Sequence, residues 1–261
     1  MHVHIYPAFQ VEDVFNTGLM QLDKLSSDAG RCALALFLTE RYDCHYYKSL
    51  RNSRHTGGDN WSIEETAEDC ALLLRHRSGR TMFLFAGRQV VTAERLEVLA
   101  LTADLELEDG LPFAVLHQRV RAQGAIPVLN WAPGKWFFER GRQVQSILGQ
   151  VPPSELAICD TTLRPTVWRE PDLMKRARLR GFHILAGSDP LPYPGEEKFV
   201  GSYGVVLEQF DEALPVSSVR TALRSNAKVS IIGERQGLVP VGRRLHRHFS
   251  KRREEAWSRA A

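Results

Sequence analysis

The sequence contains no hydrophobic run long enough to span a membrane, and it does not open with the basic and apolar segments of a secretory signal. Cysteine is scarce: the chain has four, and none of them lies in a CxxC pair. That spacing argues against a zinc knuckle or a disulfide framework, so we expect reduced thiols. The chain also has no internal repeat and no low-complexity segment. Together these absences predict a globular, cytoplasmic protein with no membrane association.

Length and charge indicate how such a protein is organised. The chain has 261 residues, of which 43% are hydrophobic and 25% charged, which fits one large α/β domain or two small ones. Residues 219–261 hold eleven Lys and Arg against three Glu, and Leu245, Phe249 and Trp257 recur there at helical spacing. We therefore predict a main domain at 1–218 and a basic helical segment at 219–261 that packs on it.

Nucleic-acid binding is an alternative function that this basic segment raises. Aromatic residues do not alternate with the basic ones as they do on a base-stacking surface, and charge bias alone is weak evidence. We therefore expect a small-molecule substrate rather than a nucleic acid as the partner. Nothing in the pattern indicates an oligomeric state.

Apolar segments that alternate with amphipathic ones predict parallel strands joined by helices. The predicted strands are 32–38, 126–131, 156–160 and 182–189, and the predicted helices are 11–25, 111–122, 138–148 and 172–180. Two further segments, 70–75 and 81–85, flank a Ser-Gly-Arg turn and predict an antiparallel hairpin inserted into this α/β fold. The polar stretch 41–63 is predicted to be one long loop.

Two histidines, His2 and His4, lie one residue apart at the start of the chain. Alternate residues of a strand face the same side, so both imidazoles would offer a nitrogen to one metal ion. A solvated pair at a frayed terminus is the alternative. Only Met1 precedes His2, and so short a strand leaves backbone groups unpaired. We therefore favour a natural start upstream of this Met over an unusually short first strand.

Each predicted core strand ends in a polar residue, and these residues are Glu40, Asn130, Asp160 and Asp189. The carboxyl ends of parallel strands meet at one edge, so we expect these side chains to converge with the two histidines. Loops are polar in general, and strand ends of this kind alone would not indicate a site. Their combination with the histidine pair predicts one.

The His-x-His pair and the later Gly187-Ser188-Asp189 resemble the metal-dependent hydrolases of the amidohydrolase and PHP (polymerase and histidinol phosphatase) type. The resemblance implies a distorted TIM-like (β/α) barrel of seven or eight strands and a hydrolysis assisted by one divalent metal ion. It assigns His2, His4 and Asp189 as metal ligands, with Asp189 also activating the attacking water. Zn²⁺ or Mn²⁺ suits such a mixed nitrogen and oxygen set.

Three features depart from the family pattern, and one is that Pro190-Leu191 follows Asp189 where the family carries a histidine within two residues. Gln89 stands where PHP members carry a glutamate, and Asn130 stands where they carry a histidine. Because a neutral amide is a poor metal ligand, the set for a two- or three-metal cluster is incomplete, and one metal or none is expected. The alternative function is a degenerate barrel that binds a small molecule or a protein partner without catalysis.

We predict four residues to bind a small anionic substrate: Lys135, Arg164, Asn130 and Glu40. Lys135 follows a strand and is flanked by tryptophans, so its ammonium can serve as a point charge in the pocket. A rigid Pro-Gly turn packed on the domain edge is the alternative reading of that loop. Asp160 is predicted to assist Asp189 in catalysis. Its spacing from Arg164 suits an anion clamp and equally an ion pair between the two residues.

Overall fold

The computed structural model describes residues 1–26, 32–53, 58–225 and 227–260, with all their side chains except those of Ser53 and 252–260. The strands are β1 (Ala35–Phe37), β2 (Trp61–Glu65), β3 (Ala71–His76), β4 (Thr81–Phe85), β5 (Gly87–Val91), β6 (Glu97–Leu101), β7 (Ile126–Asn130), β8 (Ala157–Thr161), β9 (Ile184–Gly187), β10 (Tyr203–Leu207) and β11 (Val229–Gly233). The helices are α1 (Val11–Ser26), α2 (Tyr46–Ser53), α3 (Phe113–Ala122), α4 (Phe138–Gln150), α5 (Asp172–Leu179), α6 (Pro215–Arg224) and α7 (Leu238–Ala260).

The described strands form three sheets, in the orders β1-β4-β3-β2, β5-β6-β7-β8-β9 and β10-β11. Three pairs of these strands are parallel, namely β1–β4, β7–β8 and β8–β9, while β5–β6 and β6–β7 are antiparallel. Within the described residues the named strands do not make a closed parallel barrel, so the predicted TIM-like (β/α)7-8 barrel is wrong. A short link explains the difference. Five residues separate β5 from β6, too few for the crossover that parallel pairing requires, and these two strands pair antiparallel.

Several local predictions are confirmed. The predicted hairpin is β3 and β4, which pair antiparallel around Gly79 at φ +84°. The later strands β7, β8 and β9 pair in parallel, with α4 and α5 in their connections, as the alternating pattern indicates.

The long loop predicted at 41–63 is wrong, because this stretch contains α2 and the start of β2; residues 54–57 of it lie outside the described chain. Strand β2 pairs antiparallel with β3 at the edge of its sheet. Trp61 is buried there, while the rest of β2 is exposed or half-buried. Because so little of this edge strand is buried, its sequence has no apolar run, and an apolar run is the feature that predicted the other strands.

The core lies on both faces of the central strands. Val98 and Ala100 of β6 pack with the cluster under α3, α4 and α5, whereas Leu99 and Leu101 face a second cluster that contains Phe37 of β1. Because successive residues of a strand point to opposite faces, a strand covered on both sides must be apolar throughout.

The carboxyl-terminal segment 219–261 contains the end of α6, strand β11 and helix α7. Leu245 of α7 packs against Leu163, Leu191 and Tyr193, while the side chain of Trp257 lies outside the described part of the chain. None of the helices in the described residues is long and apolar enough to cross a bilayer.

The first residues of the chain lie between two sheets. On one side, Ser188 N donates to Met1 O at 3.1 Å and Asp189 N donates to His2 O at 2.9 Å, just beyond β9. On the other side, Val3 N donates to Phe37 O at 2.9 Å and Thr39 N to Val3 O at 2.8 Å, along β1. The backbone of this segment is therefore held by hydrogen bonds on both edges.

Gly187 makes that close approach possible. A Cβ at this position would lie 2.3 Å from Cβ of His2 and 2.6 Å from the carbonyl oxygen of Met1. We expect Gly187→Ala to lower the free energy of unfolding by about 1–3 kcal/mol, because the backbone of residues 1–2 has to shift. Urea denaturation measures this change.

Gly149→Ala is the matched control, since a Cβ at Gly149 in α4 meets nothing within 4 Å. Alanine is favoured over glycine in a helix, so this control should not lower stability. Equal stability of the two variants would contradict the close approach at Gly187.

Candidate metal centre

His2, His4 and Asp189 bring their polar atoms together. The Nε2 atoms of His2 and His4 lie 3.0 Å apart, and Oδ1 of Asp189 lies 3.5 Å from the first and 3.8 Å from the second. All three residues are buried, with His2 and His4 at 0% and 2% exposed. The alternative of a solvated histidine pair is therefore wrong: hydrogen bonds of the backbone of residues 1–3 on both edges hold this segment, and both rings are buried.

These distances fit ligands of a single cation. Atoms bound at about 2.1 Å around a tetrahedral centre are about 3.4 Å from one another. The three separations, 3.0, 3.5 and 3.8 Å, bracket that value. Two imidazole nitrogens and one carboxylate oxygen also form the donor set that Zn²⁺ takes in many catalytic sites. By distance and by chemistry, the residues fit one divalent metal ion.

The protonation state of His4 also suits a ligand. Burial, with His2 and Arg41 adding to it, holds the pKa of His4 well below its usual range. A metal-binding imidazole must be neutral, so this ring requires no deprotonation near pH 7. Burial raises the pKa of Asp189, and the nearby His2 opposes that shift.

Two of the three residues have a strained backbone. His2 has φ +57° and Asp189 has φ +45°, in the left-handed region that residues other than glycine seldom occupy. Such strain costs on the order of 1–3 kcal/mol and clusters at functional sites. Here it occurs at two residues whose backbones are hydrogen-bonded to each other.

Apart from their Nε2 atoms, the two imidazole rings make mainly packing contacts. Neither Nδ1 of His2 nor Nδ1 of His4 has a hydrogen-bond partner among the described residues, and the His4 ring stacks on Tyr6 with centroids 5.2 Å apart. Metal-binding histidines usually donate their second ring N–H to a carboxylate or carbonyl. The lack of such a contact favours weaker metal binding than in sites that have one.

Gln89 occupies the position beside the histidines where the resemblance leads one to expect a carboxylate. Its Oε1 lies 2.9 Å from Nε2 of His2. The amide oxygen is neutral, so it accepts a hydrogen bond here and adds no charge for a second metal ion. Within the described residues, the cluster that could hold a cation has three members.

A half-buried ion pair lies beside this cluster. Lys135 Nζ bonds to Oε1 of Glu97, and Asn130 Nδ2 donates to Oε2 of Glu97 at 3.0 Å. Burial alone would raise the pKa of Glu97, but Lys135 and Asn130 outweigh it and hold the pKa below the usual range. Glu97 is therefore an anion whose charge Lys135 balances.

A cavity of about 720 Å³ opens onto the centre. Its walls include His4, Glu97, Lys135 and Asp189, together with several aromatic side chains, which are Tyr6, Tyr42, Tyr193 and Phe249. Its size suits a small-molecule ligand. A second, mainly apolar cavity of about 390 Å³ lies between α1, β1 and β10 and contains none of the metal-centre residues.

Asp160 and Arg164 do not join this site. Arg164 donates to both carboxylate oxygens of Asp160, at 2.8 and 2.5 Å, and Tyr203 donates to the same carboxylate at 3.0 Å. Both residues are buried and neither lines the cavity. The assignment of Asp160 to catalysis and of Arg164 to substrate is replaced by the alternative that the spacing also allowed, a structural ion pair. The physical reason is that each charge is already neutralised by the other inside the protein.

Glu40 is also placed elsewhere. Its carboxylate accepts a hydrogen bond from the backbone N–H of Tyr47 at 3.1 Å, in the first turn of α2, and it does not line the cavity. Anions are stabilised at helix amino termini, so the residue orders α2 rather than binding substrate. Of the four predicted substrate-binding residues, Lys135 lines the cavity, and Asn130 acts behind it by holding Glu97.

Glu97 and Tyr6 belong to the site but were missed in the sequence. Glu97 begins β6, whereas the predicted site residues lie at the carboxyl ends of strands. Because β6 runs antiparallel to β7, its first residue pairs with Asn130 at the same edge. The five-residue link between β5 and β6, too short for a parallel crossover, is the signal that could have revealed it.

No family description matches this sequence, and no curated protein is significantly similar to it. Among solved structures, the crystal structure of PsfC from Pseudomonas syringae PB-5123 is similar, with a TM-score of 0.56 and 16% identity over 90% of each chain. An identity this low shows a shared fold and assigns no activity.

Glu40 makes the stability of the protein depend measurably on pH. Burial raises its pKa from 4.5 to about 7. Between these values Glu40 holds more protons in the folded state than in the unfolded state, so its contribution to the free energy of unfolding is fully present only below about pH 4.5. It falls as the pH rises to about 7, by about 3 kcal/mol in total. We expect Glu40→Gln to remove this component of the slope in urea denaturation between pH 5 and 7.5. Glu108→Gln, at an exposed position, is the control; identical slopes in the two variants would contradict the account.

Proposed function

We propose that this protein is a metal-dependent hydrolase of the PHP and amidohydrolase kind that acts on a small anionic substrate. One observation carries the proposal: two buried imidazoles and a buried carboxylate present their polar atoms to one point beside a cavity of about 720 Å³. The proposal depends on this constellation of residues and not on a barrel.

In this proposal His2, His4 and Asp189 hold one Zn²⁺ or Mn²⁺ ion. A divalent cation supplies two things to a hydrolysis, a lowered pKa for water and polarisation of the oxygen at the bond to be cleaved. Oδ1 of Asp189 faces the imidazoles, which leaves Oδ2 to accept the proton of the attacking water. The burial of both imidazoles and the packing of the His4 ring on Tyr6 keep bulk water from the ligands.

Lys135 supports the assignment of an anionic substrate. Its ammonium lies in the cavity wall and is about one quarter exposed, while its partner Glu97 neutralises it when no substrate is bound. An anionic group of the substrate would compete with Glu97 for this ammonium. Arg41, also in the wall, is the other strong cation at the cavity. The proposed location is the cytoplasm, and nucleic acid is not the proposed substrate.

Metal content tests the proposal most simply. The purified protein is dialysed against Zn²⁺ or Mn²⁺ and then against metal-free buffer. We expect it to retain one metal ion per chain, as measured by inductively coupled plasma mass spectrometry. His4→Ala and Asp189→Asn should each lower retention to below about one tenth, because a two-ligand site binds weakly. His246→Ala, which removes an exposed histidine of α7, should retain the metal as the unmodified protein does.

Two results of this experiment would contradict the proposal. If the unmodified protein retains no metal, or if His4→Ala retains as much as His246→Ala, the three residues are not a metal centre. The alternative of a non-catalytic binding protein, motivated by Gln89 and Asn130, would then be favoured.

Binding of inorganic phosphate tests the anionic substrate. We expect Lys135→Gln to raise the Kd for phosphate of the Zn²⁺-loaded protein by about 3- to 10-fold, the loss of one charge-assisted contact. Lys175→Gln, on α5 and away from the cavity, should leave the Kd unchanged. Calorimetric titration measures both; an unchanged Kd in Lys135→Gln would show that Lys135 does not bind the anion.

A further inference from the structure

Arg244 of α7 is connected to the residues around Asp189. Its guanidinium donates to Glu196 from Nε, at 2.9 Å to Oε2, and from Nη2, at 2.7 Å to Oε2. Nη1 donates to the hydroxyl of Thr162 at 3.0 Å, and Nη2 also lies within 3.3 Å of the carbonyl oxygen of Asp189. The side chain is buried, as are those of Glu196 and Thr162.

The partners of Arg244 fix the same stretch of backbone. Thr162 donates its hydroxyl to the carbonyl oxygen of Ser188 at 2.6 Å, and Glu196 accepts from the backbone N–H of Leu191 at 3.1 Å. The Arg244 guanidinium thus holds three backbone groups. It donates directly to the carbonyl of residue 189, and it acts through Thr162 on the carbonyl of residue 188 and through Glu196 on the N–H of residue 191. This stretch contains Asp189 at φ +45°, so the hydrogen bonds hold a conformation that costs energy in isolation.

We propose that Arg244 is a positioning residue for Asp189, so that a helix at the carboxyl end of the chain sets the geometry of a site built on its first residues. The inference rests on the proposed function in that Asp189 is taken as a metal ligand. Arg244 donates to the backbone carbonyl of Asp189 and not to its carboxylate, which leaves both carboxylate oxygens available to the centre. Without the guanidinium, residues 188–191 lose these hydrogen bonds and the carboxylate moves relative to the two imidazoles.

A general packing role for Arg244 makes a different prediction. Its guanidinium also lies 4.2 Å from the ring centroid of Phe199, so its removal will lower stability in either case. Loss of stability alone would leave metal affinity unchanged as long as the protein is folded. Loss of positioning weakens metal affinity in the fully folded protein.

The test compares Arg244→Gln with Arg243→Gln, which removes the same charge from the adjacent, exposed residue of α7. Zn²⁺ affinity is measured by competition with a chromogenic chelator, at a temperature where both variants are folded by circular dichroism. We expect the Kd for Zn²⁺ to rise at least tenfold in Arg244→Gln, as for other residues that orient metal ligands, and to change less than twofold in Arg243→Gln. Equal Kd values in the two variants would overturn the inference.

Two further measurements keep the test decisive. If Arg244→Gln does not fold, Thr162→Val removes the hydroxyl between Arg244 and Ser188 with little change of shape, and the same rise in Kd is expected. Imidazole ¹H–¹⁵N spectra of His2 and His4, recorded without metal, should change in Arg244→Gln and not in Arg243→Gln. If the unmodified protein binds no Zn²⁺, the proposed function fails, and these spectra still decide whether Arg244 positions Asp189: unchanged spectra refute it.

Discussion

The site depends on the backbone hydrogen bonds that residues 1–3 make on both of their edges. Hydrogen bonds to the backbone beyond β9 place His2 next to Asp189. On the opposite edge, hydrogen bonds align Val3 along β1. The side chains at positions 2 and 4 both reach the interior. Gly187 allows the approach because it has no Cβ to meet that of His2. Loss of these hydrogen bonds would separate the two imidazoles from the carboxylate.

The charges around the site are arranged so that one carboxylate remains available. Glu97 is neutralised by Lys135 and Asp160 by Arg164, and Glu196 by Arg244. Asp189 has its backbone held but no Lys or Arg within ion-pair distance of its carboxylate in the described structure; its close partners are the two imidazoles. A buried carboxylate without a cationic partner is costly, and a divalent ion would offset that cost. In this respect Asp189 differs from Asp160 and Glu196, the buried acids that have an arginine partner, and the difference is a physical argument for a cation at this place.

The sequence predicted the part of the site that rests on strand ends. The histidine pair and Asp189 were identified correctly as neighbours because alternation and parallel pairing are visible as patterns. Glu97 was missed because it begins an antiparallel strand, and Arg244 because helical spacing shows which face is apolar but not what a buried guanidinium contacts. The position of Asp160 in the sequence could not distinguish it from Asp189, since both follow predicted strands. What distinguishes them is the ion pair of Asp160 with Arg164, a contact that the sequence spacing allows but does not establish. The barrel was wrong for a related reason. Apolar runs identify strands without giving their direction, and the five-residue link between β5 and β6 requires these two strands to pair antiparallel.

X-ray absorption spectroscopy of the Zn²⁺-loaded protein tests the central claim most directly, because it identifies the ligand atoms themselves. The account predicts two imidazole ligands at about 2.0–2.1 Å, visible by their multiple scattering, with the remaining ligands oxygen and no sulfur. Replacement of His4 by alanine should remove one imidazole contribution. A spectrum with no imidazole, or with a sulfur ligand at about 2.3 Å, would place the metal elsewhere and contradict the account.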